Sequence, residues 1–451
     1  MEKSILKNFT KYVSLNVLGM IGLSCYILAD TFFISKALGA TGIAALNFSI
    51  PVYSVMHGIG LMIGIGGATR YSIVKSQHQD QRANSIFSHC MGLGLLIGML
   101  FVLIGIIGPK FLAVVLGADA TTLPLTKTYL TTMLCFAPFF IINNVVLAFV
   151  RNDHNPNLPM IAMLVGSFSN IILDYIFMFP LKMGMFGAAF ATGLAPIISI
   201  SVLSIHFIKG ENNFKFVRSK VYWSSIWDIF SLGLSSFITE VSSAVVLITF
   251  NLVILNLEGN LGVASYGIIA NIALVGISIF TGIAQGIQPL ISKAYGMSNN
   301  TVLEKIIKFA LVTSLVIAVA IYFGVFFTSD GIIRIFNSEQ NLKIAQLTKT
   351  GLRIYFIGFF FAGINIIIST YLSAIEQARN AFIISILRGC VVIVPSVLLL
   401  SRLWEMTGIW LAFVFTELIV TMIAIPIANS NKEVEIGDKR AGTLAHITIK
   451  S

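Results

Sequence analysis

Charge is scarce in this sequence. Only 11% of its 451 residues are charged, and acids number 19, where a soluble domain carries roughly 25% charged residues. Apolar residues make up 57% and the mean hydropathy is +0.91. No soluble core absorbs that much apolar surface, so lipid is the expected solvent. Four cysteines, Cys25, Cys90, Cys135 and Cys390, fall in separate apolar stretches without CxxC or metal-ligand spacing. Neither a disulfide framework nor a zinc site is implied. A nucleotide-binding loop, a catalytic triad and a cleavable leader are likewise not found. The net charge of +10 does not indicate nucleic acid, because the basic residues lie between apolar runs, as membrane proteins place them.

Long apolar runs are abundant. They predict an all-α integral membrane fold with twelve spans: 12–35, 42–72, 86–108, 128–150, 158–180, 186–208, 226–256, 262–292, 304–328, 347–374, 380–401 and 407–428. The longest polar loop, Lys209 to Tyr222, falls after the sixth. The expected organisation is an N-lobe (1–208), a linker (209–225), a C-lobe (226–428) and a polar tail (429–451) that is disordered or lies on the surface. Twelve spans put both termini on one side. The larger share of the 29 Lys and Arg falls there, which predicts cytoplasmic termini in the inner (plasma) membrane. Arg334, Lys343, Lys349 and Arg353 dissent, lying on the other side.

The two halves repeat. A shift of 220 residues puts Gly39 on Gly259, Gly42 on Gly262, Gly66 on Gly286 and Ser72 on Ser292. A shift near 224 puts Gly184 on Gly408 and Thr192 on Thr416. Matches in corresponding helices indicate internal duplication. Six spans per half make the repeats parallel, with a site expected between or within the lobes.

Acids within the spans carry the functional signal. Leaving aside acids at the very start of a span, they are Asp30, Asp174, Glu240 and Glu417. A carboxylate at mid-membrane costs about 2.5–3.5 kcal/mol, so it needs a partner or a task. No mid-span Lys or Arg is expected to pair with them, which points to a bound cation or proton. Asn170 and Asp174 stand four residues apart, on one helix face, and their oxygens suit a hard cation such as Na+. His57 is expected to hydrogen-bond inside a lobe, with proton relay as the alternative. Asn143, Asn144, Gln285 and Gln288 fit a wet cavity or interhelical bonding equally well. Gly94 and Gly98 predict close helix packing. With no nucleotide motif, an ion gradient is the expected energy source.

Several runs resemble multidrug and toxic compound extrusion (MATE) transporters, in the prokaryotic branch that includes the DNA-damage-inducible exporters. They are Ala29-Asp30-Thr31-Phe32-Phe33-Ile34, Asn170-Ile171-Ile172-Leu173-Asp174, Gly187-Ala188-Ala189-Phe190-Ala191-Thr192 and Gly286-Ile287-Gln288-Pro289-Leu290-Ile291. The resemblance implies a V-shaped pair of six-helix bundles. It further implies efflux of organic cations or other toxic compounds in exchange for Na+ or H+. Carried over by motif, the cation-coupling site comprises Asp30, Asn170, Asp174 and Thr192. Glu240 matches an acidic position of the seventh helix, and Glu417 matches more weakly; with Gln285 and Gln288 they form the expected substrate cavity. No resident cofactor is expected, only the coupling ion. Drug-like cations and the lipid bilayer are the expected partners, and the chain is expected to be a monomer. The sequence departs from its relatives in having no proline before Pro51, which argues against a proline-bend mechanism in the first helix. A flippase of the same superfamily, acting on lipid-linked sugars or peptidoglycan precursors, is the alternative. Its anionic cargo calls for basic cavity residues, whereas acids are what the spans are read to hold. A membrane enzyme or receptor lacks support in a duplicated chain without a catalytic set.

Overall fold

The computed structural model describes residues 2–218, 223–336 and 341–448, with side chains described as far as Ser430 except Ile335. The described residues form thirteen α-helices, with a 3-10 turn and a π segment between some of them. They are α1 (Glu2–Ser76), α2 (Asp80–Ile107), α3 (Pro109–Val115), α4 (Leu123–Cys135), α5 (Ala137–Asn152), α6 (Asn157–Met178), α7 (Gly184–Ile208), α8 (Trp223–Gly296), α9 (Asn300–Phe336), α10 (Leu342–Tyr355), α11 (Phe359–Ala374), α12 (Ala378–Ile386) and α13 (Ile393–Thr448). Among the described residues, eight helical stretches are long and apolar enough to cross a membrane, or nine with α4 and α5 taken together across their 49° bend. Three of these are double-length and break once inside, at Gly39, at Gly259 and at Trp404–Glu405. The arrangement is consistent with twelve crossings. The polar tail continues α13 as helix to Thr448 rather than becoming irregular; between Lys432 and Ala441 it contains one Gly and no Pro. Positions 449–451 lie outside the described residues.

Duplication is written in the backbone torsions. Gly39 (φ 62°, ψ −153°) and Gly259 (φ 61°, ψ −152°) make the same break between paired helices, in a region costly for any residue with a Cβ. Non-glycine residues with positive φ pair in the same way: His78 with Ser298, His154 with Glu376, and Lys182 with Glu405. Each pair is separated by close to the repeat length, so the turns as well as the helices are duplicated.

Buried apolar side chains gather in two clusters. One is drawn from the first half plus Phe214 and Ile229, the other from the second half plus Phe9 and Val13. Each lobe thus also buries the start of the other lobe's first long helix. Backbone approaches backbone there: a Cβ at Gly66 would strike Ile229 and Gly233, and one at Gly286 would lie 2.8 Å from Val13 Cα. Within the N-lobe, Gly98 packs directly on Pro138, where an added Cβ would meet Cα at 2.5 Å. Outward-facing Leu96, Ile107, Phe111 and Phe327 are exposed, as lipid-facing residues of a membrane protein are.

The segment after α7 is more than a polar connection. Phe214 is fully buried among Phe87, Phe149 and Phe207. Asn213 N–H donates to Asp153 (2.7 Å), Lys215 N–H to Asn84 (3.0 Å), and Val217 N–H to Ser88 (2.9 Å). The segment is therefore fastened to the N-lobe; positions 219–222 lie outside the described residues. Three of the four dissenting basic residues also have partners. Lys343 meets Glu258 at 2.5 Å, Lys349 meets Asp330 at 2.7 Å, and Arg353 lies 4.8 Å from the Phe326 ring centre.

Candidate functional site

A cavity of about 300 Å³ lies between the lobes. On the N-lobe side it is lined by Tyr26, His57, Asn143, Asn144, Arg151 and Thr192. On the C-lobe side Ser235, Thr239, Glu240, Gln285, Asn365 and Arg388 face it. His57 and Asn144 are joined at 3.2 Å, so His57 is held inside its lobe as well as facing the cavity. Asn143 and Asn144 serve both roles left open by the sequence: both line the space, and Asn144 also bonds across helices.

The floor is a cross-lobe lock. Gln288 Nε2 donates to Thr69 Oγ1 (2.9 Å), and Asn152 Nδ2 donates to Gln288 Oε1 (2.9 Å). Beyond it, Arg70 bridges Asp228 (3.3 Å) and Glu376, and Lys293 Nζ lies 3.3 Å from His154 Nε2. Burial and the adjacent Lys293 hold the His154 imidazole below its ordinary pKa, which suits an acceptor for the lysine proton. These contacts all lie toward the end of the molecule that bears the N-terminus. Gln288 thus fills both roles left open by the sequence: it lines the cavity and connects the lobes.

The four residues expected to hold the coupling ion come together in the N-lobe. Asp30, from α1, and Asp174, from α6, are buried and within electrostatic reach of each other. With the Asn170 amide nitrogen facing Asp174, it donates to Asp174 Oδ2 (3.1 Å), while the amide oxygen accepts the Thr192 backbone N–H (3.2 Å). Asn170 therefore positions Asp174 and does not offer a free oxygen. One carboxylate oxygen on each of Asp30 and Asp174 has no hydrogen-bond partner. Thr192 reaches the cavity wall; the two acids and Asn170 sit behind it. No three His, Cys, Asp or Glu side chains gather as a metal centre among the described residues.

In the C-lobe the expectation needs correcting. Glu417 does not line the cavity. It is fully buried and paired with Arg388, whose Nε lies 2.5 Å from Glu417 Oε1. Asn365 Nδ2 donates to the other oxygen at 2.7 Å. A basic partner within a span was not expected. Arg388 lies in the π segment Leu387–Val391, a widened turn typical of functional sites. Glu240 does face the cavity, against the N-lobe: a Cβ at Gly58 would lie 3.4 Å from Glu240 Cβ. Arg151 is a second cavity residue that sequence reading missed, having been placed at a helix end.

The MatE family model matches the chain twice, over residues 17–176 and 235–398. The chain belongs to the MATE family. The double match reproduces the duplication seen in the backbone. Multidrug export protein MepA of Staphylococcus saprophyticus is 28% identical over 431 residues, covering 94% of this chain and 93% of its own. MepA of Staphylococcus aureus (strain MRSA252) is 28% identical over 409 residues, covering 89% and 88%. Among solved structures, an outward-facing multidrug resistance MATE transporter of the MOP superfamily superposes with a TM-score of 0.88 at 22% identity, covering 95% and 96%. A mutant of the Vibrio cholerae MATE transporter VcmN gives 0.89 at 19%, covering 96% and 98%. The MATE fold is thereby established over nearly the whole chain.

Proposed function

We propose that this MATE protein is a secondary active multidrug exporter of the plasma membrane, working as a monomer in the bilayer with both termini in the cytoplasm. It exchanges organic cations, or other toxic compounds, for Na+ or H+ by alternating access. The relatives named for multidrug export support the substrate class. With the lobes locked at the end bearing the N-terminus, the cavity is read as open to the exterior.

One observation carries the coupling role: two buried carboxylates with no basic partner among the described residues, each with an oxygen left unbonded, behind the wall of a cavity. Two like charges in so poor a solvent repel, and an entering cation relieves the repulsion. Asp30, Asp174 and the Thr192 hydroxyl make a hard oxygen set that accepts Na+ or a proton. Ion entry drives transport only if the two lobe arrangements bind the ion differently. Occupied and empty sites then favour different arrangements. Arg388 gives the flippase reading some support, but Glu417 neutralises it.

The test is efflux of an organic-cation dye by reconstituted protein, under a Na+ gradient and a pH gradient in turn. Asp174→Asn and Asp30→Asn should each abolish gradient-driven efflux. Both should keep wild-type thermal stability, because each removes a costly buried charge. Near-normal uphill transport by Asp174→Asn at normal protein level would sink the coupling role.

A further inference from the structure

The cavity holds one basic residue for which no anionic partner is found among the described residues. Arg151, at the end of α5, lines the cavity yet is only 4% exposed, and its Nε has no hydrogen-bond partner. The nearest acid in sequence is taken. Asp153 accepts from Tyr71 (3.3 Å) at one oxygen, and at the other from His206 (2.9 Å) and the Asn213 N–H (2.7 Å). Arg388, the other cavity arginine, is neutralised by Glu417. A buried guanidinium without an anion is strongly unfavourable, and its planar fork matches a carboxylate.

We propose that Arg151 is an anion subsite that receives the carboxylate of an amphoteric substrate whose ammonium group faces Glu240. The spacing agrees with this. Glu240 packs at the level of Gly58, beside the His57–Asn144 contact. Arg151 lies seven residues farther along α5, about 10 Å of helix rise. The two poles thus stand at different depths of one cavity, a molecule's length apart, with the anion end next to the Asn152–Gln288 lock. What is new is the residue that receives the anionic pole of a substrate, beyond the cation site proposed above; the inference rests on that cavity being the export site.

A matched pair of dyes tests it: a zwitterionic rhodamine carrying a free carboxylate, and its methyl ester, a plain cation. Affinities of both are measured by fluorescence polarisation on purified full-length protein. In Arg151→Gln the preference for zwitterion over ester should fall about tenfold, the worth of one charge-assisted pair. Arg151→Lys, which keeps the charge but loses the fork, should fall between wild type and Gln, and it serves as the readout if the Gln variant does not fold. A preference unchanged within twofold in the folded variants would overturn the subsite. Ester binding by wild type without zwitterion binding would do the same, while leaving cation export intact. Zwitterion binding without ester binding would instead sink cation export and leave the subsite standing.

Discussion

Breaking the Arg388–Glu417 pair should have unequal consequences depending on which partner is removed. Glu417 has a side chain only 2% exposed, whereas that of Arg388 is 14% exposed and lines the cavity. Removing one partner of a buried ion pair costs about 3–5 kcal/mol, because the survivor is left uncompensated. Arg388→Met strands a carboxylate that cannot reach water. Asn365 alone then bonds it (2.7 Å), and a charged hydrogen bond returns only about 1.5–3 kcal/mol. Glu417→Gln keeps the shape and lets the amide accept from Asn365, while Arg388 can turn toward the cavity water, so its cost should fall at or below the lower end of that range. Removing both charges together, as Arg388→Met with Glu417→Leu, should recover most of the loss, since paired charges return little net stability over apolar replacements. Thermal unfolding of detergent-purified protein reads the order: wild type near the double variant, then Glu417→Gln, then Arg388→Met. A double variant less stable than both single variants, or an Arg388→Met variant as stable as wild type, would refute the reasoning. Had Glu417 been a free cavity carboxylate, its removal would have cost little stability.

Two other predictions concern the cavity and the topology. Glu240→Gln should weaken transport of cationic dyes more than of neutral ones; an equal loss at normal protein level would assign Glu240 a structural or coupling role. Single cysteines at Lys215 and Thr121, both exposed, in a background lacking native cysteines, test the orientation. An impermeant thiol reagent on intact cells should label position 121 and spare 215, and the reverse pattern would invert the topology.

Much of the fold was legible because its signals are long. Apolar runs announce the crossings, and glycine at 39 and 259 marks both the repeat and the breaks where φ is positive. The N-lobe acids were legible for a related reason: no local partner could be named for Asp30 or Asp174, and the described residues supply no basic one. What stayed hidden depends on contacts across helices. Glu417 and Arg388 are 29 residues apart, on two different predicted spans (407–428 and 380–401), and spacing alone does not show that those helices bring them together. Arg151 reads as a helix-end charge until α5 is seen to end beside the lobe lock. His78, His154, Lys182 and Glu405 take positive φ without being glycine, so composition does not flag them. Phe214 and Phe216, two aromatics within the polar stretch 209–222, were the available sign that the linker is anchored.

The duplicated scaffold carries unduplicated chemistry, and under the proposed coupling this would let a symmetric shell be driven from one side. Thr192 and Thr416 occupy equivalent positions and are both buried. Next to Thr416 the chain places Glu417, yet that carboxylate brings its own arginine and asparagine and so has no need of an external cation. Near Thr192 the acids come from α1 and α6 and are left without a basic partner. A lobe whose charges are internally balanced should hold its packing in every step of the cycle. On the proposed coupling, a lobe with uncompensated acids would change its energy each time an ion entered or left, and that difference would bias one lobe arrangement over another. The cross-lobe contacts are suited to being made and broken as a set. They comprise hydrogen bonds between neutral amides and hydroxyls, such as Asn152–Gln288–Thr69, and partly exposed ion pairs such as Arg70–Asp228. Exposed ion pairs contribute only about 0–1 kcal/mol each; even with their partial burial, such contacts are of a size that the proposed ion binding in the N-lobe would be set against.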